Sequence, residues 1–136
     1  MPFKEDLKFG QKYELIALKY FEYNTYKQNN DNRYDLLLDD KIKVEVKADR
    51  KSHLTNNIAI EYECFNEPSG ISTSEADFYI YFIIKPNNEY TVYKFKTDEL
   101  KDIIKNCRIV RGGDMKASKM YLLNVNKIKN FIMRLN

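Results

Sequence analysis

Tryptophan is absent from this chain of 136 residues, and cysteine (2) and histidine (1) are scarce. Cys64 and Cys107 are too few for a disulfide framework and lack metal-site spacing. No apolar run approaches the roughly 20 residues that a membrane helix needs. The opening "MPFKEDLKFG" is charged and holds no apolar signal-peptide core. These absences predict an intracellular, cytoplasmic protein with no membrane partner. Repeats, low-complexity tracts, helix-turn-helix and zinc-finger patterns are also missing, which excludes a separate nucleic-acid reading head. The one histidine, His53, stands alone in a polar loop and reads as a surface residue.

What is present fits a soluble globular chain: 43% hydrophobic and 32% charged residues, with 11 tyrosines. The length predicts one domain spanning 1–136, large enough for a core but not for two. The net charge of +3, from 23 basic and 20 acidic residues, says little by itself. A nucleic-acid footprint is a patch rather than a total.

Hydrophobic spacing predicts the elements. Tyr13, Ile16, Ala17 and Tyr20 recur at helical intervals, giving a helix over about 5–23, followed by the polar linker "NTYKQNNDN". "YDLLL" and "KIKVEVKA" read as strands joined by a turn at Asp39-Asp40, and "IAIEYECF" as a third strand. Ser72 and Glu75 form a capping-box pattern for a short helix. "FYIYFII" reads as a strand buried on both faces. A strand "YTVYKF", a helix capped at Thr97, a polar loop "RGGDMKAS", a strand "KMYLL" and a helix from about Val125 to Leu135 complete a mixed α/β order.

The chemistry concentrates in "RYDLLLDDKIKVEVKADRK", residues 33–51. Residues two apart in a strand share a face, so Glu45 and Lys47 point the same way while Val44 and Val46 enter the other layer. A two-residue turn pairs Tyr34 with Glu45; one residue more brings Asp35 opposite Glu45. In both registers the carboxylates reach a common ligand. Two such acids repel unless a cation lies between them, and Mg²⁺ favours carboxylate oxygens. The competing explanation is a salt-bridge cluster on the hairpin surface.

Asp35, followed ten positions later by Glu45-Val46-Lys47, resembles the signature of the PD-(D/E)xK nuclease superfamily. Tyr34 stands where that signature has proline. The superfamily's αβββαβ core order is similar to the order read over residues 5–84, and small Holliday-junction resolvases and phage-type endonucleases are the nearest kind. The resemblance implies a restriction-endonuclease-like α/β core, a mixed central sheet flanked by helices. It implies that Asp35, Glu45 and the Val46 carbonyl hold Mg²⁺, with Mn²⁺ substituting, and that Lys47 orients the attacking water beside the scissile phosphate. Glu14, an acid on the apolar flank of the first helix, is the fourth candidate ligand. The implied activity is endonucleolytic cleavage of DNA, with branched DNA as a candidate substrate and a homodimer if the cuts are paired. A restriction-like, repair or exonuclease-type enzyme and a non-catalytic nucleic-acid-binding module are the alternatives.

Arg50 and Lys51 leave the active strand, and Arg111, Lys116 and Lys119 surround the Gly112-Gly113 loop. If both runs flank the carboxylates they form a groove that tracks phosphates. Glu61 and Glu63, on one face of the third strand, are candidates to extend the acidic site. Ser69-Gly70 and Gly112-Gly113 read as turns, Asp77 as structural and Cys64 as core.

Overall fold

The computed structural model describes residues 3–29 and 33–134, with the backbone alone at 3–7 and 114. Helix α1 (Phe3–Ala17) buries Tyr13 and Ala17, one turn apart, and tightens into a 3-10 turn at Leu18–Tyr20. The helix expected to reach residue 23 stops there, because Phe21 is already extended. The expected linker contains a strand, β1 (Tyr26–Gln28), whose three side chains are all exposed, so no hydrophobic alternation marks it. Asp39 anchors its start by accepting the N–H groups of Asn24 and Thr25 at 2.8 and 2.9 Å. Residues 30–32 of that linker lie outside the described residues.

Strand β2 (Leu36–Leu38) turns into β3 (Ile42–Asp49) through Asp39 and Asp40, both left-handed as a tight hairpin turn requires. Leu38 pairs with Ile42, so the connection carries one residue, Lys41, beyond the two-residue turn.

After β3 the chain departs from the expected order. A short helix α2 (Ser52–Thr55) leads to β4 (Asn57–Cys64), which joins a second sheet instead of continuing the hairpin. That sheet runs β5-β4-β9-β8, with β5 (Glu67–Pro68), β8 (Arg108–Gly112) and β9 (Ser118–Asn124). The expected Ser72 helix is only a 3-10 turn, Gly70–Ser72. Its capping box fails because both side chains have other partners. Ser72 Oγ donates to the Tyr62 carbonyl, and Glu75 pairs with Arg33 and Lys43.

Strand β6 (Phe78–Ile84) returns to the first sheet and is buried from Tyr79 to Ile84, as its unbroken apolar run predicts. It lies parallel to β3 and antiparallel to β7 (Tyr90–Lys96), giving the mixed order β1-β2-β3-β6-β7. In helix α3 (Thr97–Ile104), Thr97 is the first helical residue rather than the cap. Glu99 instead accepts the Lys96 N–H at 3.2 Å. Much of the expected loop "RGGDMKAS" belongs to β8 and its turn, and the expected last helix is two 3-10 turns, Val125–Lys127 and Lys129–Phe131. Leu135 lies outside the described residues.

The result is a mixed α/β architecture with a mixed sheet flanked by helices. One face of the five-stranded sheet packs Leu36, Val44, Ile80 and Phe82 against Tyr13 and Ala17 of α1. The other packs Tyr79, Tyr81 and Phe95 against Ile58, Ile60 and Leu123 of the second sheet and Leu100 of α3. No helix among the described residues is long and apolar enough to cross a membrane. Strand alternation therefore sends Val44, Val46 and Ala48 toward α1, and Glu45, Lys47 and Asp49 toward the second sheet.

Candidate active site

The site begins where β2 stops pairing. Asp35 donates its N–H to the Val44 carbonyl at 2.9 Å, although Leu36 is the register partner of Val44. Two residues thus crowd opposite one, as in a bulge. The Asp35 carboxylate then accepts the Val46 N–H at 2.7 Å. A side chain takes the acceptor place that a longer β2 would fill with a carbonyl. In an extended strand the N–H and C=O of one residue leave on the same side, so the Val46 carbonyl also faces this open edge.

Glu45 is 9% exposed and lies close enough to the Asp35 carboxyl for each to act on the other's titration. Its other partner is Lys47, with Nζ 3.1 Å from Oε2. Glu14 approaches from α1, held by Gln28 Nε2 of β1 at 3.3 Å. Asp35 and Glu45 therefore both act on Lys47, and their charges also reach Glu14.

Their electrostatics follow from crowding. Burial pushes the Glu14 carboxyl up to about 7, helped by Asp35 and Glu45 and opposed by the Gln28 hydrogen bond. Burial also raises Asp35, against the Val46 amide and Lys47. Glu45 rises by burial, against Lys47 and with the Asp35 charge. Burial alone would lower Lys47, but the adjacent Glu45 carboxylate outweighs it and holds the ammonium above its ordinary range. The cluster is short of positive charge.

The structure places the other expected residues less uniformly. The Arg50 guanidinium stacks on the Phe9 ring at 3.8 Å, and Lys51 is exposed at the start of α2. Both border the cleft formed with Phe9, Gly10, Glu14, Lys47 and Asp49. Arg111, Lys116 and Lys119 lie on the β8–β9 hairpin of the second sheet, and no contact with the carboxylates is seen among the described residues. Lys119 is paired with Glu63 at 2.8 Å. An irregularity in the β4–β9 register separates Glu61 from Glu63, so only Glu61 lines the cavity beside Lys47. His53 is half-buried in α2 rather than on the surface, and Cys64 is half-buried rather than core. Asp77 is structural: its Oδ2 accepts the Lys43 N–H at 2.9 Å.

Three contributors escaped sequence reasoning. Tyr79 stands beside Glu45 in the parallel register, and burial with the Glu45 charge raises its phenol. Two tyrosines two apart in the otherwise aliphatic and Phe-lined "FYIYFII" were its signal. Asp49 continues the Glu45–Lys47 face and caps α2, accepting the N–H groups of Lys51 and Ser52 at 2.6 and 3.0 Å. Gln28 had no signal, because an exposed three-residue strand looks like linker.

The donor atoms at this edge are oxygens, the kind a hard divalent cation prefers. Asp35, Glu45 and the Val46 carbonyl all offer oxygen, and the charges of both acids act on Glu14. Among the described residues no group of three His, Cys, Asp or Glu is placed to hold a metal ion. Mg²⁺ needs no such group, since one or two carboxylates suffice while waters and substrate fill the remaining positions. No family model matches the chain, and no curated protein matches it.

Proposed function

We propose that this chain is a divalent-metal-dependent endonuclease that hydrolyses phosphodiester bonds in DNA, with a site of the PD-(D/E)xK type. The observation that carries the reading is the Asp35–Glu45–Lys47 cluster at an unpaired strand edge: two neighbouring acids, one accepting the Val46 N–H at 2.7 Å and the other 3.1 Å from a lysine ammonium. A surface salt-bridge cluster explains Lys47 but not why Glu45 is 9% exposed beside a second acid.

Asp35, Glu45 and the Val46 carbonyl would hold Mg²⁺ or Mn²⁺, with Glu14 within reach of the same charge. When bound, the ion supplies a Lewis acid for the phosphoryl oxygen and lowers the pKa of water. Lys47 then offers fixed positive charge to the phosphate as negative charge builds on it. Its raised pKa keeps it an ammonium, so it acts as an electrostatic and hydrogen-bonding group rather than a base. Asp35 has a second duty, since its hold on Val46 fixes the direction of that carbonyl.

The test is cleavage of a synthetic four-way junction, a matched duplex and a single strand, each with Mg²⁺, Mn²⁺ or EDTA. Metal-dependent cutting that falls by about 10²-fold or more in Lys47→Ala supports the assignment. Paired cuts in the junction alone make branched DNA the substrate. Normal cutting by both Lys47→Ala and Asp35→Asn would refute it, and tight metal-independent binding without cutting would leave a binding module.

A further inference from the structure

Two side chains are placed where folding gives no reason for them. Phe65 and Asn66 form the two-residue turn between β4 and β5, with Cys64 paired to Glu67. Such a turn needs positive φ at both positions and favours Asn-Gly. Here Phe65 has φ 49° and Asn66 φ 65°. A phenylalanine in the left-handed region is strained, and this one is also 65% exposed. Neither backbone preference nor burial favours an aromatic ring there.

The β8–β9 hairpin repeats the anomaly. Met115 has φ 57° and is 90% exposed, and Lys116 follows at φ 54°. The two tips are tied together: the Phe65 N–H donates to the Ala117 carbonyl at 3.1 Å, and Cys64 pairs with Ser118. One end of the second sheet therefore projects two apolar side chains from adjoining strained turns. Around them the Glu63–Lys119 ion pair is internally neutral, and the sequence sets Arg111 and Lys116 against Glu67 and Asp114.

We infer that these joined tips are a wedge, with Phe65 and Met115 entering an unstacked base step while Arg111 and Lys116 meet the flanking phosphates. Apolar side chains inserted between base steps are an established means of holding distorted DNA. A second protein copy fits less well. One aromatic ring and one methionine cover about 200 Å² each, far short of the ~800 Å² per partner of a stable interface. The position also suits DNA held at the carboxylates. Phe65 lies four residues beyond Glu61, which borders the cavity beside Lys47. The three residues from Glu61 to the end of β4 at Cys64 span roughly 10 Å, close to three base steps at about 3.4 Å each.

The inference rests on the nucleic-acid reading above but not on catalysis, so binding is measured in EDTA. The probes are a four-way junction with 2-aminopurine at the branch and a matched duplex carrying the same base. The variants are Phe65→Asn and Met115→Asn, because asparagine tolerates the left-handed region. The wild type is expected to raise junction fluorescence on binding and to prefer the junction to the duplex. Each variant should lose about tenfold in junction affinity, the scale of one base stack, with duplex affinity within about twofold. Thermal stability should be unchanged or higher in Phe65→Asn, whereas a residue kept for folding would lower it. Equal junction binding by wild type and variants overturns the wedge and leaves the nuclease reading standing. A change in sedimentation on substitution also overturns it, by making the tips a contact between copies. Failure to bind either DNA overturns both readings.

Discussion

The Asp35 carboxylate accepts the backbone N–H of Val46 at 2.7 Å, standing in for the carbonyl of a strand whose pairing starts only at Leu36. One side chain thus closes the sheet and opens the site. Asp35→Asn keeps an acceptor oxygen for Val46, so its thermal stability should stay near that of the wild type. Asp35→Ala leaves that N–H without its partner and should cost about 1–2 kcal/mol. Both should lose metal-dependent cleavage by about 10²-fold or more. Thermal melts beside the cleavage assay separate the two duties; equal stability of both variants would remove the structural one.

Glu14 makes stability depend on pH in a direction set by its raised carboxyl. Its folded value is about 7 against an ordinary 4.5. Between those values the folded state holds a proton that the unfolded state has released, so stability falls as pH rises through the window. Glu14→Gln removes the titration. In EDTA the variant should melt with the wild type near pH 4.5 and above it at pH 8, with the gap opening between. A gap that is constant with pH would show that Glu14 is not the titrating group.

Lys47 balances a buried acid, and its loss should be pH-dependent in the same sense. Without the ammonium 3.1 Å away, the Glu45 carboxyl rises further above its unfolded value. Lys47→Met should therefore be most stable, relative to wild type, in acid, and lose ground as pH rises. Melting curves from pH 5 to 8 check this. A flat difference would mean that the ion pair contributes nothing in the folded chain.

The sheet that carries the site was legible because its signals are local. Alternation in "KIKVEVKA" put Glu45 and Lys47 on one face, and Asp39-Asp40 marked the turn. What was not legible depended on distant partners. β4 has the alternation of any strand, and nothing in "IAIEYECF" says that it pairs with β9 rather than with β3. The Ser72–Glu75 pattern was a valid helix signal defeated by Arg33 and Lys43, which lie far away in sequence. Gln28 and Tyr79 belong to the site through register alone. Acids, base and turn could be read; the neighbours that tune them could not.

Gly70 sets the spacing beside Lys47. Its φ is +52°, and a Cβ there would lie 2.1 Å from the Glu61 carbonyl oxygen. Both residues line the same cavity of about 180 Å³ as Lys47 and Tyr79. Gly70→Ala must therefore push the 70–72 turn off β4 and should destabilise by about 1–3 kcal/mol. Denaturant titration measures this, and an unchanged midpoint would show that β4 yields without cost.

Metal binding should be visible without any substrate. Glu14, pushed up to about 7 by burial with the Asp35 and Glu45 charges beside it, carries a proton near neutrality that a divalent cation at the cluster must displace. Titrating Mn²⁺ calorimetrically near pH 6.5, in buffers of different ionisation enthalpy, should therefore report proton release, smaller in Glu14→Gln. The cation should also raise the melting temperature, by the equivalent of about 2.7 kcal/mol at a hundredfold excess over Kd. Asp35→Asn should abolish that rise while keeping the fold, because its amide still accepts from Val46 but brings no charge. A rise that survives in Asp35→Asn and Glu45→Gln would place the cation elsewhere on the chain, and the carboxylate cluster would then be a structural salt-bridge network.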